Sequence, residues 1–124
     1  MTPEKEIEDA IAGFVKAYNS GDLDGMLACY GDDLIKVRQG ASPETKAEVA
    51  SRVAVVFAKF LTQVDVTVDE ILVSGNSAFT RGSFTVTLKP KAGGELLSIA
   101  RRYLEIWRRE DGRWLVVRTM DNSA

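Results

Sequence analysis

The sequence predicts a single α+β domain over residues 1–124, with three N-terminal helices packed on one face of an antiparallel sheet. Apolar residues recur with helical spacing as far as Phe60. Beyond it, Val64, Val66 and Val68 alternate with polar residues, as in a strand with one buried face. Glycine-containing turns separate the later strands. A chain of 124 residues suffices for one hydrophobic core and is too short for two ordinary domains.

Each predicted helix begins at a capping residue. Thr2 precedes Pro3 at the start of the first helix, and Asp22 caps a short second helix that ends at Gly31. The third helix begins at Ser42-Pro43-Glu44 and has the clearest apolar face. The apolar face of the first helix comprises Ile7, Ile11, Phe14, Val15 and Tyr18, and that of the third comprises Val49, Val53, Val56, Phe57 and Phe60.

The predicted strands form an antiparallel meander after one short strand at residues 34–38. Its turns fall at residues 75–76, 89–94 and 110–112, and its last two strands cover residues 95–109 and 113–121. Helices followed by such a meander are typical of a sheet that is covered on one face.

The composition excludes several classes of function. A net charge of −2 provides no basic surface for a phosphate backbone, so we expect no nucleic-acid partner. Charges interrupt every apolar stretch, so we expect no membrane partner. The start of the chain lacks the pattern of a secretion signal, and Cys29 has no partner for a disulfide. These features favour the cytoplasm.

The sequence contains no histidine. A Ser-His-Asp triad and a histidine metal site are therefore excluded, and acid–base chemistry would fall to Asp, Glu, Lys, Tyr or Cys. The carboxylates at Asp22, Asp24, Asp32 and Asp33 match no calcium loop, so we expect no metal. There is no glycine-rich phosphate loop, and we expect no cofactor.

Two segments resemble a known superfamily. Residues 14–25, continuing through Tyr30-Gly31-Asp32-Asp33, resemble the start of ketosteroid isomerases and SnoaL-like proteins, and residues 106–114 resemble their closing hairpin. The chain is thus similar to the nuclear-transport-factor-2-like (NTF2-like) superfamily. That resemblance implies a cystatin-like cone, in which three helices close a strongly curved antiparallel sheet around a cavity.

The resemblance does not extend to the catalytic residues of the steroid isomerases. Those enzymes use an aspartate as proton shuttle and a Tyr–Asp pair that donates hydrogen bonds to the oxyanion. By position the tyrosine falls on Phe14, the shuttling aspartate on Arg38 and the second oxyanion carboxyl on Glu105. Because two of the three roles are lost, we expect no steroid isomerisation by that mechanism.

The register of the last hairpin decides which side chains enter the cavity. With a two-residue turn at Asp111-Gly112, Glu105 faces Arg118, whereas a three-residue loop at residues 110–112 shifts every pair by one. We favour the three-residue loop, because it separates an amphipathic face from an apolar one. It places Arg101, Tyr103, Glu105 and Trp107 with Leu115, Val117, Thr119 and Asp121, opposite Leu104, Ile106, Trp114, Val116 and Met120.

The candidate catalytic residues are Glu105 and Asp121. An acid between Tyr103 and Trp107 would be partly desolvated, which raises its pKa toward a useful range. The alternatives are a structural Glu105 paired with an arginine and a solvated Asp121 at the chain end. The predicted binding pocket comprises Phe14, Tyr18, Tyr30, Arg38, Phe60, Phe84, Tyr103, Trp107, Val117 and Thr119.

Two functions remain open from the sequence. The first is a pocket protein for a small hydrophobic or amphipathic ligand, of the isomerase, cyclase or hydratase kind found among SnoaL-like proteins. The second is an association or ligand-carrying module without catalysis. Both predict a homodimer through an outer sheet face formed by Leu104, Ile106, Val116 and Met120.

Overall fold

The computed structural model describes residues 1–124 and contains three helices and six strands. In chain order these are α1 (Pro3–Asn19), α2 (Leu23–Leu27), β1 (Tyr30–Val37), β2 (Glu44–Thr45), α3 (Lys46–Lys59), β3 (Phe60–Ser74), β4 (Ser77–Pro90), β5 (Leu97–Glu110) and β6 (Arg113–Ser123). The predicted α+β class is confirmed. None of the three helices combines the length and the apolar character needed to cross a membrane.

One sheet contains all six strands, in the order β2-β1-β6-β5-β4-β3. The sheet is mixed rather than wholly antiparallel, because β1 runs parallel to β6, with Lys36 opposite Thr119. The prediction of a purely antiparallel sheet was wrong at this edge. The two strands are far apart in sequence, and a parallel pair needs such a long connection.

The first two helices have the predicted caps. The Thr2 side chain accepts a hydrogen bond from Lys5 N at 3.1 Å, and Asp22 accepts one from Gly25 N at 3.0 Å. The second helix ends at Leu27 and not at Gly31, because Tyr30 already pairs with Val116 in the sheet. The first strand therefore begins at Tyr30, four residues before the predicted residue 34.

The third helix begins at Lys46, whereas the sequence predicted a start at Ser42-Pro43-Glu44. Thr45 is the actual cap, since its side chain accepts a hydrogen bond from Glu48 N at 3.3 Å and Glu48 in turn accepts one from Thr45 N at 3.1 Å. This reciprocal capping box satisfies two free donors at the helix start. It follows β2, where Glu44 pairs with Lys36.

The last hairpin turns through two residues, Asp111 and Gly112, with φ angles of 51° and 76°. The predicted three-residue loop was therefore wrong, since two positive φ angles are typical of a type I′ turn. A bulge between Ile106 and Trp107 then shifts the register by one residue. Beyond the bulge, Glu105 lies opposite Thr119, whereas the three-residue loop would have placed it opposite Val117. Thr119 and Asp121 nevertheless lie on the same face as Glu105, as predicted.

Between the turn and the bulge, the two faces of β6 are exchanged relative to the prediction. Trp107 lies opposite Val116, and both Val116 and Trp114 belong to the hydrophobic core. Neither residue lies on the exposed face to which the sequence analysis assigned it. Leu104, Ile106 and Met120 do lie there and are 44%, 43% and 53% exposed. The core occupies the opposite face, under the helices, and includes Ile7, Met26, Leu34, Val49, Trp107 and Val116.

Candidate ligand-binding site

A cavity of about 200 Å³ lies between the helices and the inner face of the sheet. Most residues in its wall are apolar, as in most small-molecule sites. Ten of the predicted site residues line it: Phe14, Tyr18, Tyr30, Arg38, Phe84, Tyr103, Glu105, Trp107, Thr119 and Asp121. The cavity also contains charged residues that the sequence analysis did not assign to it, namely Lys36 and Arg52.

Two predicted pocket residues lie outside the cavity wall. Val117 is the extra residue of the bulge, and it packs so close to Gly31 that a Cβ there would lie 3.2 Å from Val117 Cγ1. Phe60 begins β3 and pairs with Pro90 at the end of the sheet. The prediction placed Phe60 on the face of α3, but that helix ends at Lys59.

The cavity is graded from an apolar floor to a charged rim. Trp107, Val116 and Met26 are at most 2% exposed and form the floor. The side chains of Arg52 and Arg101 are 32% and 29% exposed to solvent and lie at the open side of the cavity. An apolar group therefore fits the interior and a polar or charged group fits the rim.

A row of polar side chains crosses the inner face of the sheet. Lys36 on β1, Thr119 on β6, Glu105 on β5 and Thr80 on β4 are neighbours in register. In-register residues on adjacent strands point to the same face. Trp107 Nε1 donates a hydrogen bond to Thr80 Oγ1 at 2.9 Å, which fixes the buried end of this row.

Glu105 is a half-buried carboxyl in the cavity wall without an ion pair. No Lys or Arg nitrogen lies within 4.0 Å of it, because Arg101 is 3.5 Å from Asp121 and Arg38 is bonded to Glu44. Arg118 also points elsewhere and donates to Asp33 O. Burial raises the pKa of Glu105, while the charge of Lys36 and the hydroxyls of Thr119 and Thr80 act against that rise without cancelling it.

Lys36 and Asp121 form the second charged group of the wall. Lys36 Nζ lies 3.8 Å from Asp121 Oδ2, and the Lys36 and Asp121 side chains are 15% and 5% exposed. Burial lowers the pKa of Lys36 in spite of the opposing effect of Asp121. Lys36 was not among the predicted pocket residues, although strand alternation places it on one face with Arg38, which was.

Glu44 joins two arginines at the rim. It accepts a hydrogen bond from Arg38 Nε at 3.0 Å and two from Arg52, at 2.8 and 3.1 Å. Arg52 was missed as well, although it lies three residues after Val49 and four before Val56, on the apolar face of α3. The terminal nitrogens of Arg38 make no hydrogen bond within the protein and remain free for a ligand.

The hydroxyl of Tyr103 is buried and has no hydrogen-bond partner. Buried polar atoms are nearly always paired, so an unpaired one in a cavity wall marks a place where a ligand atom fits. Burial and the nearby Glu105 and Asp69 raise the pKa of Tyr103, so that the hydroxyl stays protonated and can donate. Cys29 also lines the cavity, but burial raises the pKa of its thiol and it behaves as a small apolar residue.

Comparisons with known proteins agree with this fold. The model of the SnoaL-like domain family matches residues 11–117. A conserved protein from Planctomyces limnophilus is 21% identical, with a TM-score of 0.91, and the alignment covers 98% of this chain and 97% of that one. A ketosteroid isomerase-like protein from Erwinia carotovora atroseptica is 25% identical, with a TM-score of 0.82 and coverage of 99% and 98%.

An NTF-2 like protein of unknown function from Shewanella oneidensis is 20% identical, with a TM-score of 0.81 and coverage of 97% and 98%. No functionally curated protein matches the chain significantly. The structural likenesses show the NTF2-like fold with its cystatin-like cone, and the family match covers most of the sequence. The chain has the NTF2-like fold and belongs to the SnoaL-like domain family.

Proposed function

We propose that this protein binds a small amphipathic carbonyl compound and catalyses proton transfer at the carbon beside the carbonyl, as in an isomerase, cyclase or hydratase reaction. The observation that carries this proposal is Glu105, an unpaired carboxyl in the wall of an otherwise largely apolar cavity. Catalytic carboxyls commonly have raised pKa values that approach the working pH.

Glu105 would act as both base and acid. Its carboxylate takes the proton from the acidic carbon and, as the carboxylic acid, returns it to the product. The negative charge that develops on the carbonyl oxygen needs a donor, and the free Tyr103 hydroxyl supplies one. Asp121 contacts both Lys36 and Arg101, so we assign it the positioning of those two cations.

The rim favours a ligand with a negatively charged end. The cavity and its rim carry the cations Lys36, Arg38, Arg52 and Arg101 against the anions Glu44, Glu105 and Asp121. One positive charge is in excess even when every group is ionised. The free terminal nitrogens of Arg38 suit a carboxylate, for which the planar guanidinium has matching geometry.

The proposal is tested by deuterium exchange at carbon, followed by NMR in heavy water. Two aryl ketones with similar α-acidity serve as probes, neutral α-tetralone and anionic 4-oxo-4-phenylbutanoate. We expect exchange above the buffer rate, faster for the anionic ketone, and a loss of about 10²–10⁴-fold in Glu105→Gln. Glu95→Gln, a substitution in an exposed loop, controls for the loss of one carboxylate. Equal exchange in wild type and Glu105→Gln would remove Glu105 from the mechanism.

The outer sheet face supports a second proposal, the homodimer. We propose that Leu104, Ile106 and Met120 form its centre. Leu104 lies opposite Met120 in the sheet, and Ile106 continues into Phe79 and Leu72 on the neighbouring strands. A continuous apolar surface of this kind is typical of a protein–protein contact.

Light scattering tests the dimer. Wild type at tens of micromolar should have the mass of two chains, whereas Leu104→Asp should have the mass of one. Leu96→Asp, a leucine that is 61% exposed in the loop before β5, should leave the mass unchanged. A monomeric wild type would contradict the proposal.

A further inference from the structure

We propose that Lys36 is a second reactive group of the cavity, whose ε-amine condenses with the carbonyl carbon of a bound aldehyde or ketone to form an imine. This inference goes beyond the proton transfer assigned to Glu105. It rests on the cavity admitting a carbonyl compound and does not require Glu105 to turn that compound over.

The first reason is the position of the amine. Lys36 lies in the cavity wall with a side chain that is 15% exposed. Other lysines that lie against the protein donate hydrogen bonds: Lys46 Nζ to Tyr30 O at 3.0 Å and Lys91 Nζ to Phe57 O at 2.9 Å. Lys36 Nζ donates none, and its one charged contact is Asp121 at 3.8 Å, near the outer limit of an ion pair.

The second reason is the balance of charges around the amine. Asp121 on β6, Glu105 on β5 and Glu44 on β2 favour the ammonium form, whereas burial and Arg52 on α3 favour the neutral amine. Each of two carboxylates is shared with arginine: Asp121 contacts Arg101 at 3.5 Å, and Glu44 bonds Arg52. Burial prevails and lowers the pKa of Lys36, which increases the neutral, nucleophilic fraction at neutral pH.

The chemistry requires no reagent beyond the carbonyl compound. The nitrogen lone pair attacks the carbonyl carbon, a C–N bond forms, and the C=O electron pair moves to oxygen; transfer of one proton from the nitrogen to that oxygen gives a carbinolamine. An acid then protonates the hydroxyl, which leaves as water as the C=N bond forms, and the resulting iminium nitrogen returns its remaining acidic proton to the conjugate base of that acid. The net change is one amine and one carbonyl to one imine and one water.

Glu105 is placed to supply the proton for this loss of water. It lies two strands from Lys36 in the same row, with Thr119 between them. The two backbones are therefore about 10 Å apart, and both side chains reach inward toward a carbonyl group held between them. Because burial raises the pKa of Glu105, a larger fraction of it is protonated than of an exposed glutamate, and the protonated carboxyl can donate to the departing hydroxyl.

Acetylacetone is a suitable probe, because its imine rearranges to a stable ultraviolet-absorbing enaminone. The full-length protein is treated with acetylacetone at neutral pH until only a small part of its lysines is modified. Peptide mass spectrometry then locates each modified lysine by an added mass equal to that of the diketone less one water. In the wild-type protein, Lys36 should be the first of the lysines to be modified. Its rate should exceed that of exposed Lys89, by at most about tenfold for each unit by which its pKa is lower, because the neutral fraction rises by that factor while the nucleophilicity of the amine falls.

Variants then separate amine chemistry from charge. Lys36→Met and Lys36→Arg should both lose the fast modification, since neither side chain forms an imine, whereas Lys89→Met should keep it. Asp121 keeps its contact with Arg101 in both Lys36 variants, and circular dichroism checks that each variant is folded. Modification of Lys36 no faster than that of Lys89, or a fast phase that persists in Lys36→Met, would overturn the proposal.

The result is distinguishable from a failure of the proton-transfer proposal. If Lys36 forms the enaminone but ketones exchange no deuterium above the buffer rate, the amine proposal stands and the Glu105 mechanism fails. If deuterium exchange depends on Glu105 while Lys36 is modified no faster than Lys89, the reverse holds. Glu105→Gln should still be modified at Lys36, but more slowly, because it lacks the acid that assists loss of water.

Discussion

Replacing Glu105 by glutamine should make the protein more stable at neutral and alkaline pH. Glu105 lies in the cavity wall, has no ion pair within 4.0 Å, and is hydrogen-bonded to the hydroxyls of Thr119 and Thr80. Glutamine has nearly the same shape as the protonated carboxyl and can both donate to and accept from these hydroxyls. The substitution therefore removes a buried charge without creating a cavity.

The sign and size of the effect follow from linkage. Because the pKa of Glu105 is raised in the fold, the native state binds more protons than the unfolded state between the unfolded pKa, about 4.3, and the folded pKa. The stability of wild type therefore falls as pH rises through that window. The advantage of Glu105→Gln should be near zero below about pH 4 and grow by at most about 1.4 kcal/mol per pH unit.

Urea unfolding from pH 4 to pH 9, followed by tryptophan fluorescence, measures this difference. Trp107 lies in the same cavity wall and reports on its integrity. For a domain of this size, each 1 kcal/mol corresponds to a shift in Tm of about 4 °C, so calorimetry provides a second readout. The measured quantity is the difference in unfolding free energy between Glu105→Gln and wild type. If this difference favoured the variant less at pH 8 than at pH 4, the assignment of Glu105 as an unpaired buried acid would be refuted.

Three further substitutions test other contacts of the structure. Thr80→Val should cost about 1–3 kcal/mol in urea unfolding, because Trp107 Nε1 loses its buried acceptor, whereas Thr80→Ser should cost much less. Glu44→Gln should cost about 1–2 kcal/mol at pH 7, because Glu44 is stabilised as a carboxylate in the fold. Burial acts to raise the pKa of Glu44, but hydrogen bonds from Arg52 and Arg38 lower it. This contribution to stability is therefore present above about pH 4.3 and is lost as the pH falls through the folded pKa. Thr45→Ala should cost about 1 kcal/mol in thermal unfolding, and Ser42→Ala should cost almost nothing if Thr45 is the true cap of α3.

Local patterns in the sequence were sufficient for most elements. The caps at Thr2 and Asp22 depend on bonds to residues three positions away, and such short-range chemistry is visible in the sequence. The start of α3 was misplaced because Ser42-Pro43 is an equally good local pattern. What decides between the two starts is the pairing of Glu44 with Lys36 in β1, which is a tertiary contact.

The last hairpin shows how two errors can compensate. A three-residue loop and a bulge on β6 each shift the register by one residue, in opposite directions, and both put Thr119 and Asp121 on the face of Glu105. That face was therefore predicted for the wrong reason, and the predicted partner of Glu105 was Val117 instead of Thr119. The error shows only between turn and bulge, where Trp114 and Val116 are buried instead of exposed. Alternation of apolar and polar residues cannot locate a bulge when both faces of a strand carry apolar side chains.

Lys36 was overlooked, although alternation along β1 places it on one face with Arg38, whereas Thr119 and Glu105 were predicted as site residues. Parallel pairing of β1 with β6 joins residues that are about eighty positions apart, and only this pairing adds Lys36 to the row of Thr119 and Glu105. Once the row exists, the backbone ladder fixes its spacing, and the side chains need no loop to hold them together. An amine and an acid facing one apolar cavity from the same rigid sheet can therefore be exchanged for other residues with little effect on the fold, and the chemistry of the cavity would change with them.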